Sequence, residues 1–364
     1  MFRHSMPFSE LIGQDRALGA LRSALARGAL HHAYLFGGPE GVGKGTAARL
    51  LAQACNCEGE GSLGPGLASP VASALGVDPC GICGPCRKIA RGTHPDVIAL
   101  AEERAMVKAG RWEPKGGRAP SRDIVVDQVR DLVDHRLAMK RFEGRRRFVL
   151  VDPADAMNPQ AQNALLKTLE EPPDDTTLVL VASSSEQLLP TIRSRCARVL
   201  FAPLADAVVA DRLVADGRSP EEARLAAALA GGSLGRALAL DAAALAARAQ
   251  AVEAAVALDP DDASTWIAFA RDQGGDREAA RETCELLGVW LRDVLAVQAA
   301  GEAAPLALGD LTPQTRAAAG GLTPAQALWR IERARAAAAA LRQNAAPALA
   351  LERMLIGWFH GELR

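Results

Sequence analysis

The sequence predicts an α/β layer with a parallel sheet over residues 8–203, followed by a helical second half. Five short apolar runs alternate with helical patterns in the first part, as expected for strands that are covered on both faces. Beyond Pro203, segments rich in Ala, Leu and Arg repeat with the helical period of about 3.6 residues. The predicted strands are residues 33–36, 96–100, 148–151, 178–182 and 199–201.

Length and composition indicate a globular protein of two or three domains. The chain has 364 residues, and a domain averages about 150. Hydrophobic residues make up 49% and charged residues 23%, which excludes a disordered chain. The 42 Lys and Arg against 43 Asp and Glu argue against a polycation that wraps nucleic acid. The 8 Phe, 5 Trp and 1 Tyr argue against stacking on single strands as the main activity.

The start of the chain predicts neither a signal peptide nor a membrane anchor. Arg3, Glu10 and Asp15 interrupt the first residues before any apolar run develops. The most apolar stretch, residues 334–340, is far shorter than the ~20 residues that a membrane span requires. We therefore expect a cytoplasmic protein with no membrane partner.

A glycine-rich loop, GPEGVGKGT at residues 38–46, follows the first predicted strand. In the pattern G-x-x-x-x-G-K-[ST], backbone N–H groups surround phosphates, the lysine neutralises their charge and the hydroxyl binds Mg²⁺. Here Gly45 takes the hydroxyl position, and Thr46 comes one residue later, about 100° further round the helix. The loop favours ATP or ADP binding over a purely structural role and leaves Mg²⁺ binding open. The candidate phosphate-binding residues are Gly38, Gly41, Gly43, Lys44, Gly45 and Thr46.

The third predicted strand ends in an acid, Asp152, which is a further candidate for the nucleotide site. ATPases of this kind usually follow that acid with a glutamate that orients the attacking water. Pro153 stands there instead and cannot polarise water, so the hydrolytic residues are incomplete at both Gly45 and Pro153. Asp155 is an alternative base, but we expect it to cap a helix N-terminus.

Five of the seven cysteines cluster in one segment, at about residues 55–90. In a reducing compartment, the spacing C-x-x-C-x-x-C predicts a metal site rather than disulfides. Zinc is favoured over an iron–sulfur cluster, whose common pattern would need a cysteine where Ala90 stands. Cys57 is preferred to Cys55 as fourth ligand, because it ends the preceding helix where the chain turns. The predicted structural zinc ligands are Cys57, Cys80, Cys83 and Cys86.

Two polar segments carry less information. Residues 102–122 are rich in Gly, Pro and basic side chains without periodicity, and we expect an inserted mobile loop of undefined role. The basic run at residues 140–147 is typical of a solvated turn before a strand.

Taken together, these residues resemble the clamp-loader branch of the AAA+ superfamily. The matching segments lie in the first 200 residues, and the most specific are residues 163–173 (NALLKTLEEPP) and 194–196 (SRC). An unrelated P-loop kinase or DNA-binding module is hard to reconcile with the first of these. The segments 290–295 and 344–352 are similar to the family's helical collar. The remaining matches are residues 8–14, 32–36 and 92–96, together with the cysteine cluster.

The resemblance implies three domains and a division of roles among residues. It predicts an AAA+ P-loop domain at 1–203 with the zinc module at about 55–90, a helical lid at 204–240 and an oligomerising collar at 241–364. Arg195 matches the arginine finger that acts in trans on a neighbour's ATP. Arg236 matches the lid arginine that faces the chain's own nucleotide.

The resemblance also implies a place in the DNA polymerase III holoenzyme. Motor subunits of the family keep the hydroxyl and the glutamate that are missing here at Gly45 and Pro153. The resemblance therefore implies a stator, a comparatively rigid subunit with little or no ATPase activity of its own. A gamma/tau-like motor ATPase is the alternative. The implied partners are gamma/tau motor subunits and a delta subunit in a hetero-pentameric ring, the sliding clamp, and primer-template DNA through the assembled complex.

Overall fold

The structure, a computed structural model, describes residues 8, 11–59 and 78–361. The chain divides into two compact units, Met1–Pro203 and Leu204–Arg364. The middle of the predicted zinc module, residues 60–77, and two positions of the matching segment 8–14 lie outside the described residues. The three-domain division, with its lid at 204–240, stays a prediction.

The first unit is built on a five-stranded sheet in which all neighbouring strands are parallel, in the order β2-β3-β4-β1-β5. The predicted fold class is confirmed, and each predicted strand is present with ends shifted by at most two residues. The fourth and fifth strands show the largest shift, because each begins two residues earlier than predicted, at Thr176 and Ala197. The strands are β1 Ala33–Gly37, β2 Val97–Leu100, β3 Arg147–Val151, β4 Thr176–Ala182 and β5 Ala197–Leu200.

Alternating side chains of the central strands form two apolar layers, one on each face of the sheet. Phe36 and Phe148 face one layer, while Leu35 and Val149 face the other. Strands β1, β3 and β4 are buried along their whole length, and their sequences are apolar. The exceptions are the buried polar residues that begin β3 and β4, which are Arg147, Thr176 and Thr177. The helices of this unit are α1 Asp15–Ala26, α2 Lys44–Asn56, α3 Gly84–Ala90, α4 Glu103–Lys108, α5 Val126–Asp131, α6 Pro159–Glu170 and α7 Pro190–Arg193.

The expectation of an inserted mobile loop at residues 102–122 is wrong in its main point, because the segment is ordered around a buried carboxylate. Glu103, in α4, is fully buried. It accepts hydrogen bonds from the Arg118 guanidinium at 2.7 Å, the Ser121 N–H at 2.8 Å and the Trp112 indole N–H at 3.1 Å. Burial by itself raises the pKa of Glu103, but these donors outweigh burial and hold that pKa below its ordinary value.

We expect Glu103→Gln to lower the free energy of unfolding by about 2 kcal/mol at pH 7, because hydrogen bonds to a buried charge are lost. Folding lowers the pKa of Glu103, so its stabilisation is present above the ordinary value of 4.5 and is lost as pH falls through the folded pKa. Urea denaturation at pH 7 and at lower pH should therefore show that the difference in unfolding free energy between the parent protein and Glu103→Gln becomes smaller in acid.

The matched control is Lys115→Gln, in the same segment, where an exposed amine pairs with Asp127 at 3.5 Å. Exposed pairs contribute at most about 1 kcal/mol, so this variant should stay close to the parent protein. Equal losses in the two variants would contradict the role of Glu103.

The second unit is helical, as the sequence predicts, and the described residues 204–361 contain no strand. Its core packs α13, Arg277–Ala300, against α15, Pro324–Arg342. Leu287 and Leu291 of the first helix and Ala334 and Ala338 of the second belong to the same buried apolar cluster. No helix of the described chain has the length and apolar character needed to cross a membrane. The helices are α8 Asp206–Ala215, α9 Pro220–Ala230, α10 Leu234–Ala239, α11 Ala242–Val256, α12 Ala263–Gln273, α13 Arg277–Ala300, α14 Thr312–Gly321, α15 Pro324–Arg342 and α16 Pro347–Phe359.

Candidate functional site

The candidate nucleotide site lies at the carboxyl edge of the sheet. β4 lies between β3 and β1, so the loops that follow these three strands are neighbours. They carry Asp152 after β3, Ser183 after β4 and the glycine-rich loop after β1. Ligands of open parallel sheets bind at this edge, because a crevice opens between neighbouring loops where the order of the strands reverses.

Glycine is required in the loop at two positions for reasons of space as well as backbone conformation. Gly38 and Gly43 have φ of 146° and 100°, in the region that favours glycine. A Cβ on Gly38 would lie 2.1 Å from the Phe201 carbonyl oxygen, and one on Gly43 would lie 2.6 Å from a methyl carbon of Leu11. The loop therefore depends on contacts with distant parts of the first unit.

Lys44 begins α2 and places its ammonium group inside the curve of the loop. Its Nζ donates hydrogen bonds to the carbonyl oxygens of Gly38 at 2.6 Å and Pro39 at 2.5 Å, and lies 3.4 Å from the Ser183 hydroxyl. Burial lowers the pKa of Lys44, while the charges of Asp152 and Asp155 oppose that shift. The arrangement holds a buried cation where a phosphate-binding loop needs one.

The environment of Gly45 does not fit the usual Mg²⁺ ligands. A Cβ at this position would lie 2.3 Å from Asp152 Oδ2, so the carboxylate fills the space of the missing hydroxyl-bearing side chain. The Thr46 hydroxyl lies one residue further along α2, about 100° round the helix, and accepts a hydrogen bond from Arg49 at 3.4 Å. Water reaches Asp152, but the surrounding protein raises its pKa against the opposing charges of Arg49 and Lys44. The residues present therefore lack the hydroxyl-and-carboxylate pair that holds Mg²⁺ in P-loop proteins.

Asp155 does not cap a helix, so that expectation is wrong. Its Oδ2 accepts hydrogen bonds from the backbone N–H groups of Ser183 at 3.0 Å and Ser184 at 2.8 Å. Helix α6 is capped instead by Asn158, whose side chain accepts from the Ala161 N–H at 2.8 Å. Because β3 and β4 are adjacent and parallel, an acid just after one strand reaches the backbone that follows the other.

Ser183 is a residue of the site that sequence reasoning did not select. Its hydroxyl lies beside Lys44, and its backbone N–H is held by Asp155. The available signal was its position directly after a buried strand, which places it at the ligand-binding edge of the sheet.

The four predicted zinc ligands come together. The sulfur atoms of Cys57, Cys80, Cys83 and Cys86 all lie within 4.8 Å of one another. Tetrahedral zinc with bonds of about 2.3 Å separates its sulfur ligands by ~3.8 Å, so this cluster could hold a metal ion. The backbone N–H groups of Cys80 and Cys83 donate to the sulfurs of Cys57 and Cys80, both at 3.3 Å. Such bonds favour the thiolate form that zinc requires.

Cys57 and Cys55 have different environments. The hydrogen bond between Cys57 and Cys86 is the largest influence on both thiols, because it lowers the pKa of Cys57 and raises the pKa of Cys86. Cys55 lies outside the cluster and belongs to the apolar layer beneath α2, where burial raises its pKa to about 11. The side-chain amide of Gln53 donates to the Cys86 carbonyl at 2.8 Å and fastens α3 to α2.

Arg195 follows α7 and is ion-paired with Glu170, at the end of α6. The guanidinium lies 2.6 Å from the Glu170 carboxylate and donates to the Thr191 carbonyl at 2.9 Å. The Arg195 side chain remains 35% exposed, so this contact leaves part of it open to another molecule. The two most specific motif segments, 163–173 and 194–196, thus meet in one ion pair, and Glu170 is a partner that sequence reasoning did not select.

Arg236 lies on α10 in the second unit, where it forms an ion pair with Glu285 of α13. Glu285 also binds Arg281 at 2.7 Å. The charge of Arg236 is therefore partnered within its own unit, and its predicted position opposite a nucleotide stays a prediction.

The fold and the motifs make this chain an α/β protein of the AAA+ class. The model of the family described as "DNA polymerase III, delta subunit" matches residues 13–205. The chain belongs to this DNA polymerase III delta-subunit family, and the resemblance drawn from its motifs is confirmed.

Curated relatives agree with this assignment, and the match covers only part of each relative's length. The delta' subunit of Pseudomonas aeruginosa is 39% identical over 178 residues, covering 49% of this chain and 45% of the relative. The tau subunit of Escherichia coli is 32% identical over 287 residues, covering 75% of this chain and 39% of the relative. The delta' subunit of Bacillus subtilis is 30% identical and covers 59% of this chain and 55% of the relative. The chain spans about half the length of these relatives or less.

Solved structures with similar architecture are distant. A gamma subunit-related protein of Thermotoga maritima has a TM-score of 0.36 at 16% identity, covering 94% of this chain and 99% of that chain. The Aeropyrum pernix ORC1 protein in complex with DNA has a TM-score of 0.42 at 17% identity, covering 97% and 93%. The family assignment therefore depends on the sequence matches.

Proposed function

We propose that this chain is a delta-prime-type stator subunit of the DNA polymerase III clamp loader. In this role it helps to load the sliding clamp onto primed DNA without hydrolysing ATP itself. One observation carries the proposal: Arg195 is partly exposed, whereas the chain's own site lacks a hydroxyl at Gly45 and an acid at Pro153. The chain is equipped to act on a neighbour's nucleotide but not on its own.

In the chain's own nucleotide site, the residues bind phosphate but do not activate water for hydrolysis. Lys44 and the backbone N–H groups of the glycine-rich loop hold and neutralise phosphates. Pro153 cannot orient a water molecule or accept its proton, so the attacking group is neither positioned nor activated. Nucleotide binding therefore has a structural role in this proposal.

Arg195 supplies the catalytic charge to a neighbouring subunit. Its guanidinium keeps a positive charge at any physiological pH and matches the geometry of phosphate oxygens. Glu170 is the positioning residue that holds this group at the surface. Because the charge reaches a neighbour's γ-phosphate only in the assembled ring, hydrolysis becomes coupled to assembly.

The proposed partners are the gamma/tau motor subunits and a delta subunit in a hetero-pentameric ring, together with the sliding clamp. Primer-template DNA is contacted through the assembled complex, and Arg236 faces the chain's own nucleotide. The four-cysteine cluster holds a structural zinc ion. The alternative, a gamma/tau-like motor, is favoured by the match to tau over 75% of this chain.

We expect the isolated chain to bind ATP or ADP and to release no phosphate above the level of its Lys44→Ala variant. Lys44→Ala should abolish binding, since it removes the buried cation of the loop. Binding is measured with a fluorescent ADP analogue, and turnover is measured by steady-state phosphate release.

The control for loss of one positive charge is Lys140→Ala, an exposed lysine in the turn before β3, which should bind nucleotide like the parent protein. Robust turnover that disappears in Lys44→Ala would instead identify the chain as a motor.

A further inference from the structure

Arg49 occupies a place in the candidate nucleotide site that neither the motif nor the family assignment explains. Helix side chains lean towards the N-terminus, so residue 49 covers the face of α2 at residue 45, one turn earlier. Gly45 leaves that face open. Arg49 Nη1 lies 4.0 Å from the position that a Cβ on Gly45 would take, and its Nη2 donates to the Thr46 hydroxyl at 3.4 Å.

The same space contains the carboxylate that would otherwise help to hold Mg²⁺. Asp152 Oδ2 lies 2.3 Å from the position of that Cβ, so a guanidinium and a carboxylate both approach the side-chain position of Gly45. The charge of Arg49 opposes the raised pKa of Asp152 more strongly than the charge of Lys44 does. Arg49 is therefore a cation close enough to act on charge at this position.

A guanidinium can perform the electrostatic part of the work of Mg²⁺. The ion neutralises the β- and γ-phosphates and is held by the loop hydroxyl and the acid after β3. A guanidinium keeps its charge at all physiological pH values and presents five N–H donors that suit phosphate oxygens. It cannot be released with the product as a free ion, which suits a site that binds nucleotide without turnover.

We propose that Arg49 takes the place of Mg²⁺, so that this site binds the phosphates of ADP or ATP without a divalent cation. This inference rests on the nucleotide binding stated in the proposed function. It adds that the loss of the hydroxyl at Gly45 is compensated by Arg49 of the same chain.

The test compares binding of a fluorescent ADP analogue by the full chain in excess Mg²⁺ and in EDTA. We expect the dissociation constants in the two buffers to agree within about threefold, since no divalent ion takes part. Arg49→Ala should weaken binding in EDTA by at least about tenfold, because a charge-assisted contact to phosphate is lost. The matched control is Arg91→Ala, an exposed arginine after α3, which should bind like the parent protein in both buffers.

A second variant tests the exchange of cations directly. The double substitution Gly45→Ser with Arg49→Ala restores the hydroxyl and removes the guanidinium, so its binding should become at least about tenfold tighter with Mg²⁺ than in EDTA. Circular dichroism and thermal melting establish that the variants are folded.

Two results would overturn the inference. If the parent protein loses tenfold or more of its affinity in EDTA, Asp152 binds Mg²⁺ without the hydroxyl, and nucleotide binding stands while Arg49 has no such role. If the parent protein binds no nucleotide in either buffer, both this inference and the nucleotide-binding part of the proposed function fail. The stator role of Arg195 is tested separately.

Discussion

In the proposed ring, Arg195→Ala should lower ATP hydrolysis by about three to five orders of magnitude at the neighbouring site that Arg195 is proposed to serve, as loss of an arginine finger does in related systems. In this proposal the guanidinium stabilises charge that develops on the γ-phosphate, and alanine removes that guanidinium without changing the fold of either subunit. Other ATP sites in the ring keep their own residues. Single-turnover phosphate release from the reconstituted complex with DNA is therefore the measurement, since it separates a slow site from fast ones.

Three comparisons make the result specific to Arg195. Size-exclusion chromatography establishes that the variant ring still assembles. Arg198→Ala removes a neighbouring exposed arginine on β5 and should leave every kinetic phase of phosphate release unchanged. Glu170→Gln keeps an acceptor but removes the charge that holds Arg195, so it should slow the same phase by a smaller factor, about tenfold. Unchanged turnover of Arg195→Ala in an intact ring would leave Arg195 as a solvated surface residue.

Removal of the proposed zinc ion should unfold the module around α3 while leaving the sheet of the first unit folded. Structural zinc in small modules contributes apparent binding free energies of about 10–16 kcal/mol, and the free thiolates repel one another without the metal. We expect one zinc per chain in protein purified without chelator. We expect none in Cys86→Ser, with loss of helical signal and a lower melting temperature. Elemental analysis and circular dichroism with and without EDTA provide the measurement.

The fourth ligand is tested by variants of two cysteines that lie two residues apart in the sequence. Cys57→Ser should lose zinc because its sulfur lies in the cluster, whereas Cys55→Ala should retain one zinc because its sulfur lies in the apolar layer. Iron in place of zinc would overturn the assignment of the metal. Zinc loss in Cys55→Ala with retention in Cys57→Ser would overturn the ligand set.

The strands, the glycine-rich loop and the zinc ligands could be predicted because each depends on residues that are close together in the sequence. Buried parallel strands need continuous apolar runs, and the runs at residues 33–36 and 148–151 are strands of the sheet. The glycine-rich loop was recognisable because phosphate binding needs particular residues at fixed spacing along one turn. The zinc ligands were recognisable for the same reason, since three of the four lie within seven consecutive residues.

The failures share a different cause, which is long-range hydrogen bonding by single polar side chains. Nothing near Glu103 in the sequence indicates that Arg118 and Ser121 fold back onto it, so residues 102–122 resembled a structureless loop. The sequence around Asp155 predicts a helix cap because caps depend on local residues, but the parallel pairing of β3 and β4 brings the Ser183 backbone within reach of the Asp155 carboxylate.

The amino-acid sequence by itself determined the order of helices and strands, the types and spacing of the phosphate- and metal-binding residues, and the family. Only the tertiary structure decided which of these residues meet. It brought Asp152 into the space beside Gly45, Arg195 onto Glu170, and the sulfur of Cys57 to those of the three cysteines that follow about 23 to 29 residues later. The physical reason is that spacing along a helix or loop is set by the backbone, whereas contacts between distant segments are set by strand order, register and packing.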